Sequence, residues 1–130
     1  KDNYSYQPLV NAGKKWRIAY YQGGVSTNYY PYLAATVKGL IDLGWIEKQE
    51  LPIVKDKDTK ILWSWLAKNL RSDYVEFLAD AYYSAEWNSN VRPEIKQNIV
   101  KRLNTKKDID LVSASNVIYV FSMTLSDLKN

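Results

Sequence analysis

Trp16-Arg17-Ile18-Ala19-Tyr20-Tyr21, followed by Gln22-Gly23-Gly24 and the polar run Ser26-Thr27-Asn28, is the stretch that decides the fold. β-branched and aromatic residues alternate through its first part, which predicts a strand over Trp16–Tyr21 ending at Gln22-Gly23-Gly24. Asn28 can cap a helix, and Pro31 is tolerated in a first turn because its missing N–H would have no partner there. Tyr30, Leu33, Val37, Leu40 and Ile41 then recur at helical spacing, with Gly44 as a stop. Strand, turn and amphipathic helix form the first half of a βαβ unit.

The pattern repeats downstream. Leu51 to Val54 is a short apolar run, an edge strand or a loop. Asp58 or Thr59 can cap a helix carrying Leu62, Trp65, Leu66 and Leu70. Trp63 and Trp65 lie two apart and cannot share a helical face, and the reading puts Trp65 in the core and Trp63 outside. Tyr74 to Ala79 alternates as a second strand and ends at Asp80-Ala81-Tyr82-Tyr83. Ser89 or Asn90 opens a further helix, with Pro93 in its first turn and Ile95, Ile99 and Leu103 on one face. Ile109 to Val112 reads as a third strand closing at Ser113-Ala114-Ser115-Asn116, before a last helix with Val117, Phe121, Thr124, Leu125 and Leu128 on one side. Alternating strands and helices predict an α/β class, a three-layer α-β-α Rossmann-like lobe with a mainly parallel sheet. Residues 1–13 lack periodicity and read as a loose leader, leaving 14–130 as a single lobe.

Bulk properties bound the function. A chain of 130 residues fits one domain, and 46% hydrophobic residues argue for a packed core. No apolar run reaches the roughly 18 residues a membrane span needs. Met123 is the only methionine, so a processed N-terminus is expected, with any signal peptide already removed. The net charge of +4 is spread over separate Lys/Arg groups with acids among or beside most of them, which reads as a solvated surface and not a nucleic-acid face.

With neither histidine nor cysteine, Ser-His or Cys-His nucleophiles and His- or Cys-ligated zinc are excluded. Gly23-Gly24 is no dinucleotide or phosphate-loop signature. The expectation is a protein that is not an enzyme, with no cofactor and no metal. Open parallel sheets bind ligands at the carboxyl ends of their strands. Three segments fall there: Gln22 to Asn28, Asp80 to Tyr83, and Ser113 to Asn116. They are equally ordinary βα turns, which need glycine, serine and asparagine anyway. A helix starting after Asn28 would offer free N–H groups to an anion. The chain holds 11 Tyr and 5 Trp, and of those near these loops Tyr21 and Tyr83 are taken as ligand contacts, the rest mostly as core.

Long strings also resemble a known family. Arg17-Ile-Ala-Tyr-Tyr-Gln-Gly-Gly24, Asn28 through Glu47, Leu62-Trp-Ser-Trp-Leu66, Ser72 through Trp87, and Arg102 through Val112 are similar to the opening of ABC-transporter substrate-binding proteins. The resemblance implies an extracytoplasmic receptor, periplasmic or lipid-anchored, with two Rossmann-like lobes that close on a solute and signal to a membrane permease. This chain resembles the N-terminal lobe. Related members bind aromatic amino acids, so such a solute is one expectation. The ligand-binding set that follows is Tyr21, Gln22, Gly23, Gly24, Asn28, Tyr83, Ser113, Ser115 and Asn116. Ser113-Ala-Ser-Asn-Val departs from the small Gly- and Thr-containing turn expected after the third strand. A single lobe with exposed sheet edge is also expected to self-associate. The alternative function is an extracytoplasmic ligand-sensing domain of a membrane signalling protein.

Overall fold

A computed structural model of the chain describes residues 7–115. Three parallel strands form one open sheet in the order β2-β1-β3: β1 (Trp16–Gln22), β2 (Val75–Ser84) and β3 (Leu111–Ser115). The helices are α1 (Tyr29–Asp42), α2 (Thr59–Asn69) and α3 (Val91–Thr105). Because successive side chains of a strand point to opposite faces, β1 feeds two cores. Ile18 and Tyr20 pack with Leu33 and Val37 of α1 and Leu62, Trp63 and Leu66 of α2. Tyr21 packs on Ile99 of α3, while Ala19 meets Ala81 and Ile109. The α/β, three-layer reading of the sequence is what the structure shows.

Local chemistry sets the boundaries. α1 ends where Gly44, at φ +82°, takes a left-handed turn that a side chain would strain; its N–H reaches Ile41 O, and Trp45 N–H reaches Leu40 O. Those paired bonds satisfy carbonyls that the helix end leaves open. Asp58 caps α2, its carboxylate accepting from Lys60 N–H at 2.8 Å and Ile61 N–H at 3.4 Å. Asn28 precedes α1, yet its side chain makes no capping bond. Leu51 to Val54 is loop. Before β1, Asn11 and Lys14 pair across the two-residue turn Ala12-Gly13. The helix expected after Asn116 lies outside the described residues.

Three expectations need correction. Trp63, not Trp65, is the core residue: it is 1% exposed, stacks on Phe77 at 4.7 Å, and donates from its indole to Leu78 O at 2.8 Å. The buried stripe of α2 is Thr59, Leu62, Trp63 and Leu66, and once Thr59 points inward that phase turns Trp65 toward the margin. Asp80 to Tyr83 is not a turn after β2 but part of it. Between Ile18 and Tyr20 of β1, the partner strand advances from Phe77 to Tyr82, so Leu78–Ala81 is an extra loop of strand. Arg102 of α3 pins that bulge, bonding Asp80 O, Asp80 Oδ1 and both Asp108 oxygens. Likewise Ser113 and Ser115 continue β3, paired with Tyr20 and Gln22, and are not a closing turn.

Arg17 fixes the other edge. Its guanidinium bonds both carboxylate oxygens of Asp110 at 3.0 and 3.1 Å, and its backbone N–H bonds Asp110 Oδ2 at 2.8 Å. Replacing Trp63 by Ala removes a stacked, hydrogen-bonded side chain at the centre of the larger core. Urea unfolding should show Trp63→Ala losing about 3–5 kcal/mol, and Trp65→Ala clearly less; equal losses would contradict the assignment of α2's buried face.

Candidate functional site

The carboxyl end of β1 ends in a buried amide. Gln22 is 2% exposed. Its Oε1 accepts from Thr59 Oγ1 at 2.7 Å and from the Tyr20 hydroxyl at 3.0 Å, and its Nε2 donates to Ser84 Oγ at 3.3 Å. Thr59 Oγ1 lies 2.8 Å from the Tyr82 hydroxyl. Strands β1 and β2 and the first residue of α2 therefore meet in one polar cluster. Above it is a cleft of about 140 Å³, lined by Gln22, Thr59, Tyr82, Val25, Ser26 and the segment Asp56–Asp58. Asp56 and Lys57 both hold left-handed backbone, at φ +57° and +51°, which turns the 3-10 segment Lys55–Lys57 into the rim.

Burial governs the tyrosines. Desolvation pushes the Tyr20 hydroxyl up to about 12, against an opposing hydrogen bond from Ser115. Burial also raises Tyr82, with the hydrogen bond to Thr59 opposing it and Asp58 and Glu86 adding to the rise. Both stay protonated at neutral pH and serve as hydrogen-bonding groups, not bases.

Trp87 closes the other side of the β1–α1 loop. Its indole lies against Gly24, its N–H donates to Gly23 O at 2.8 Å, and its Nε1 donates to Val25 O at 2.8 Å. The ring sits 6.2 Å from Tyr29 and is 47% exposed. Glu86 and Trp87 are both left-handed, at φ +52° and +56°, which costs about 1–2 kcal/mol per residue without glycine. Three backbone hydrogen bonds hold that geometry: Ala85 N–H to Gln22 O, Trp87 N–H to Gly23 O, and the turn bond from Asn88 N–H to Ala85 O.

The sequence-predicted residues divide. Gln22 forms the floor, and Ser115, opposite it on β3, bonds Tyr20 beneath that floor. Gly23 has both backbone groups engaged, N–H to Ser115 O at 3.0 Å and O from Trp87 N–H. Gly24 is glycine because a Cβ there would overlap the Trp87 indole. Tyr21 faces α3 and is raised by burial, with Arg92 opposing the rise. Tyr83 belongs to the same layer, its hydroxyl accepting from Arg102 at 3.2 Å. Asn28 is exposed, Ser113 lies beside a different, apolar groove, and Asn116 is outside the described residues. Nor does α1 offer a row of free N–H groups, since Tyr29 N–H bonds Ser26 O and Pro31 has none. Sequence reasoning missed Thr59 as a floor residue, Ser84 and Trp87. The only signal for Thr59 was its place directly after a capping Asp58.

The apolar groove is larger, about 440 Å³, between Leu33 and Leu40 of α1, Trp16, Trp45 and Leu111. It lies toward the amino ends of the strands, the wrong end for ligands of a parallel sheet. Among the described residues no three acidic side chains gather to hold a metal, and no helix is long and apolar enough to cross a membrane.

No family model, curated protein or solved structure matches this chain. The class that the fold defines is a Rossmann-like α/β protein with a polar cleft at the carboxyl end of its central strand.

Gly24→Ala should displace the Trp87 indole. The expected result is a loss of about 1–3 kcal/mol in unfolding experiments and a shifted Trp87 indole N–H resonance. An unshifted resonance with full stability would contradict the packing described.

Proposed function

We propose that this chain is the first lobe of an extracytoplasmic solute-binding protein that delivers a small molecule to an ABC transporter. The observation that carries the reading is the polar floor, buried Gln22 and Thr59 with half-buried Tyr82, opening at the carboxyl end of the central strand beside the exposed side chains of Val25 and Trp87. A polar floor gives orientation, and apolar rim residues give a second lobe something to close against. The resemblance of Arg17–Gly24, Asn28–Glu47 and Ser72–Trp87 to this receptor family supports the same reading, and an aromatic amino acid is the solute it suggests.

In this reading the chain's own residues bind and orient, and a membrane permease is the partner. One lobe supplies half the contacts, so solute affinity of the chain alone is expected to be weak. Self-association would draw on the apolar groove and on the edge of β3, which no strand among the described residues pairs and where Leu111 is half exposed.

Reading the coding frame beyond Asn130 tests the proposal. A second α/β lobe reached through a hinge is the expected result. A membrane span leading into a signalling domain would replace the receptor by a sensor, and an immediate stop would contradict a cleft closed by two lobes of one chain.

A further inference from the structure

The hydrogen bonds of the cleft have a direction, and it selects the charge of what the cleft takes. Gln22 Oε1 can only accept, so the protons of Thr59 and Tyr20 both point to it. A threonine hydroxyl has one proton. At the 2.8 Å contact with Thr59, Tyr82 must therefore be the donor. Every hydroxyl proton of the chain Tyr82–Thr59–Gln22–Tyr20 is spent inward, and the face of Tyr82 toward the cleft presents lone pairs. The rim adds the carboxylates of Asp56 and Asp58, with Lys57 the one cation among the described lining residues. Asp58 Oδ1 is engaged by α2, which leaves Oδ2 for other use. Ser26 Oγ accepts from Asn28 N–H at 3.3 Å and keeps its own proton, so Ser26 and Lys57 are the rim donors, set against the Tyr82 oxygen and two carboxylates.

Resting on the receptor reading, we infer that this cleft takes the cationic, hydrogen-bond-donating end of the solute, a primary ammonium or a guanidinium, and not its carboxylate. The donors of such a group meet the Tyr82 oxygen and the two rim carboxylates, while Lys57 at the rim repels a second positive charge. Size agrees: about 140 Å³ suits a charged head group, whereas whole-ligand pockets run to about 300 Å³ or more. The remainder of the solute extends past Val25 and Trp87. The negative influence of Asp58 and Glu86 on Tyr82 has the sign this requires.

The test titrates the 15N-labelled chain at low ionic strength with methylammonium and, separately, with acetate, reading the amides of Thr59, Lys60, Tyr82 and Ser84. Methylammonium should give saturable shifts at these amides and acetate none. The double variant Asp56→Asn, Asp58→Asn keeps the helix cap and tolerates left-handed backbone, because asparagine does both. It should weaken methylammonium about fivefold, the scale of two exposed charges. Acetate binding as tightly at the same amides, an unchanged double variant, or no response to either probe would each overturn the inference. Acetate binding would leave the receptor reading standing, whereas a coding frame without a second lobe would remove that reading and leave the charge preference measured.

Discussion

A carboxamide buried at the end of the central strand has to find partners on every side, and the carboxyl end of this sheet is organised by that requirement. An unsatisfied buried amide group costs about 1–3 kcal/mol, so the neighbours of Gln22 are constrained. Tyr20 supplies one donor from the same strand, Thr59 another from the first residue of α2, and Ser84 an acceptor from the end of β2. Thr59 can turn inward because Asp58, one residue earlier, already caps the helix. That choice sets the phase of α2 and brings Trp63 over Phe77 and Tyr20. One polar group thus links the register of two strands, the rotation of a helix and the larger core.

The bulge in β2 follows from the same end of the sheet. β2 pairs with β1 at both ends, Val75 with Trp16 and Ser84 with Gln22, and the surplus residues between them loop out at Leu78–Ala81. Trp63 and Arg102 hold that loop from opposite sides of the sheet. Past Ser84 the chain turns through two left-handed residues to lay Trp87 on Gly24. Backbone strain of this kind persists only where surrounding bonds fix it, and it gathers at working parts of proteins.

Class and layering were legible in the sequence because period-two and period-3.6 patterns survive any detail of packing. The strand at Trp16, the stop at Gly44, the position of Pro93 and the burial of Ile99 all lie where spacing puts them. Strand ends were not legible. Asp80–Tyr83 and Ser113–Ser115 look like turns because their small and polar residues suit turns, whereas β1 pairing extends the strands through both. Trp63 was misplaced because periodicity alone does not fix the phase of a helix in which Thr59 is one of the buried residues. Of the candidate site, Gln22 was readable from its place after the strand. Thr59 and Trp87 were not, since each reaches the site from an element distant in sequence.

The most direct measurement is a crystal structure of this chain soaked in a mixture of small polar and apolar probes. Probe density against Tyr82, Thr59 and the Asp56–Asp58 rim is the expected result. Density confined to the apolar groove between α1 and β3, with the polar cleft empty, would contradict a binding site at the carboxyl end of the central strand.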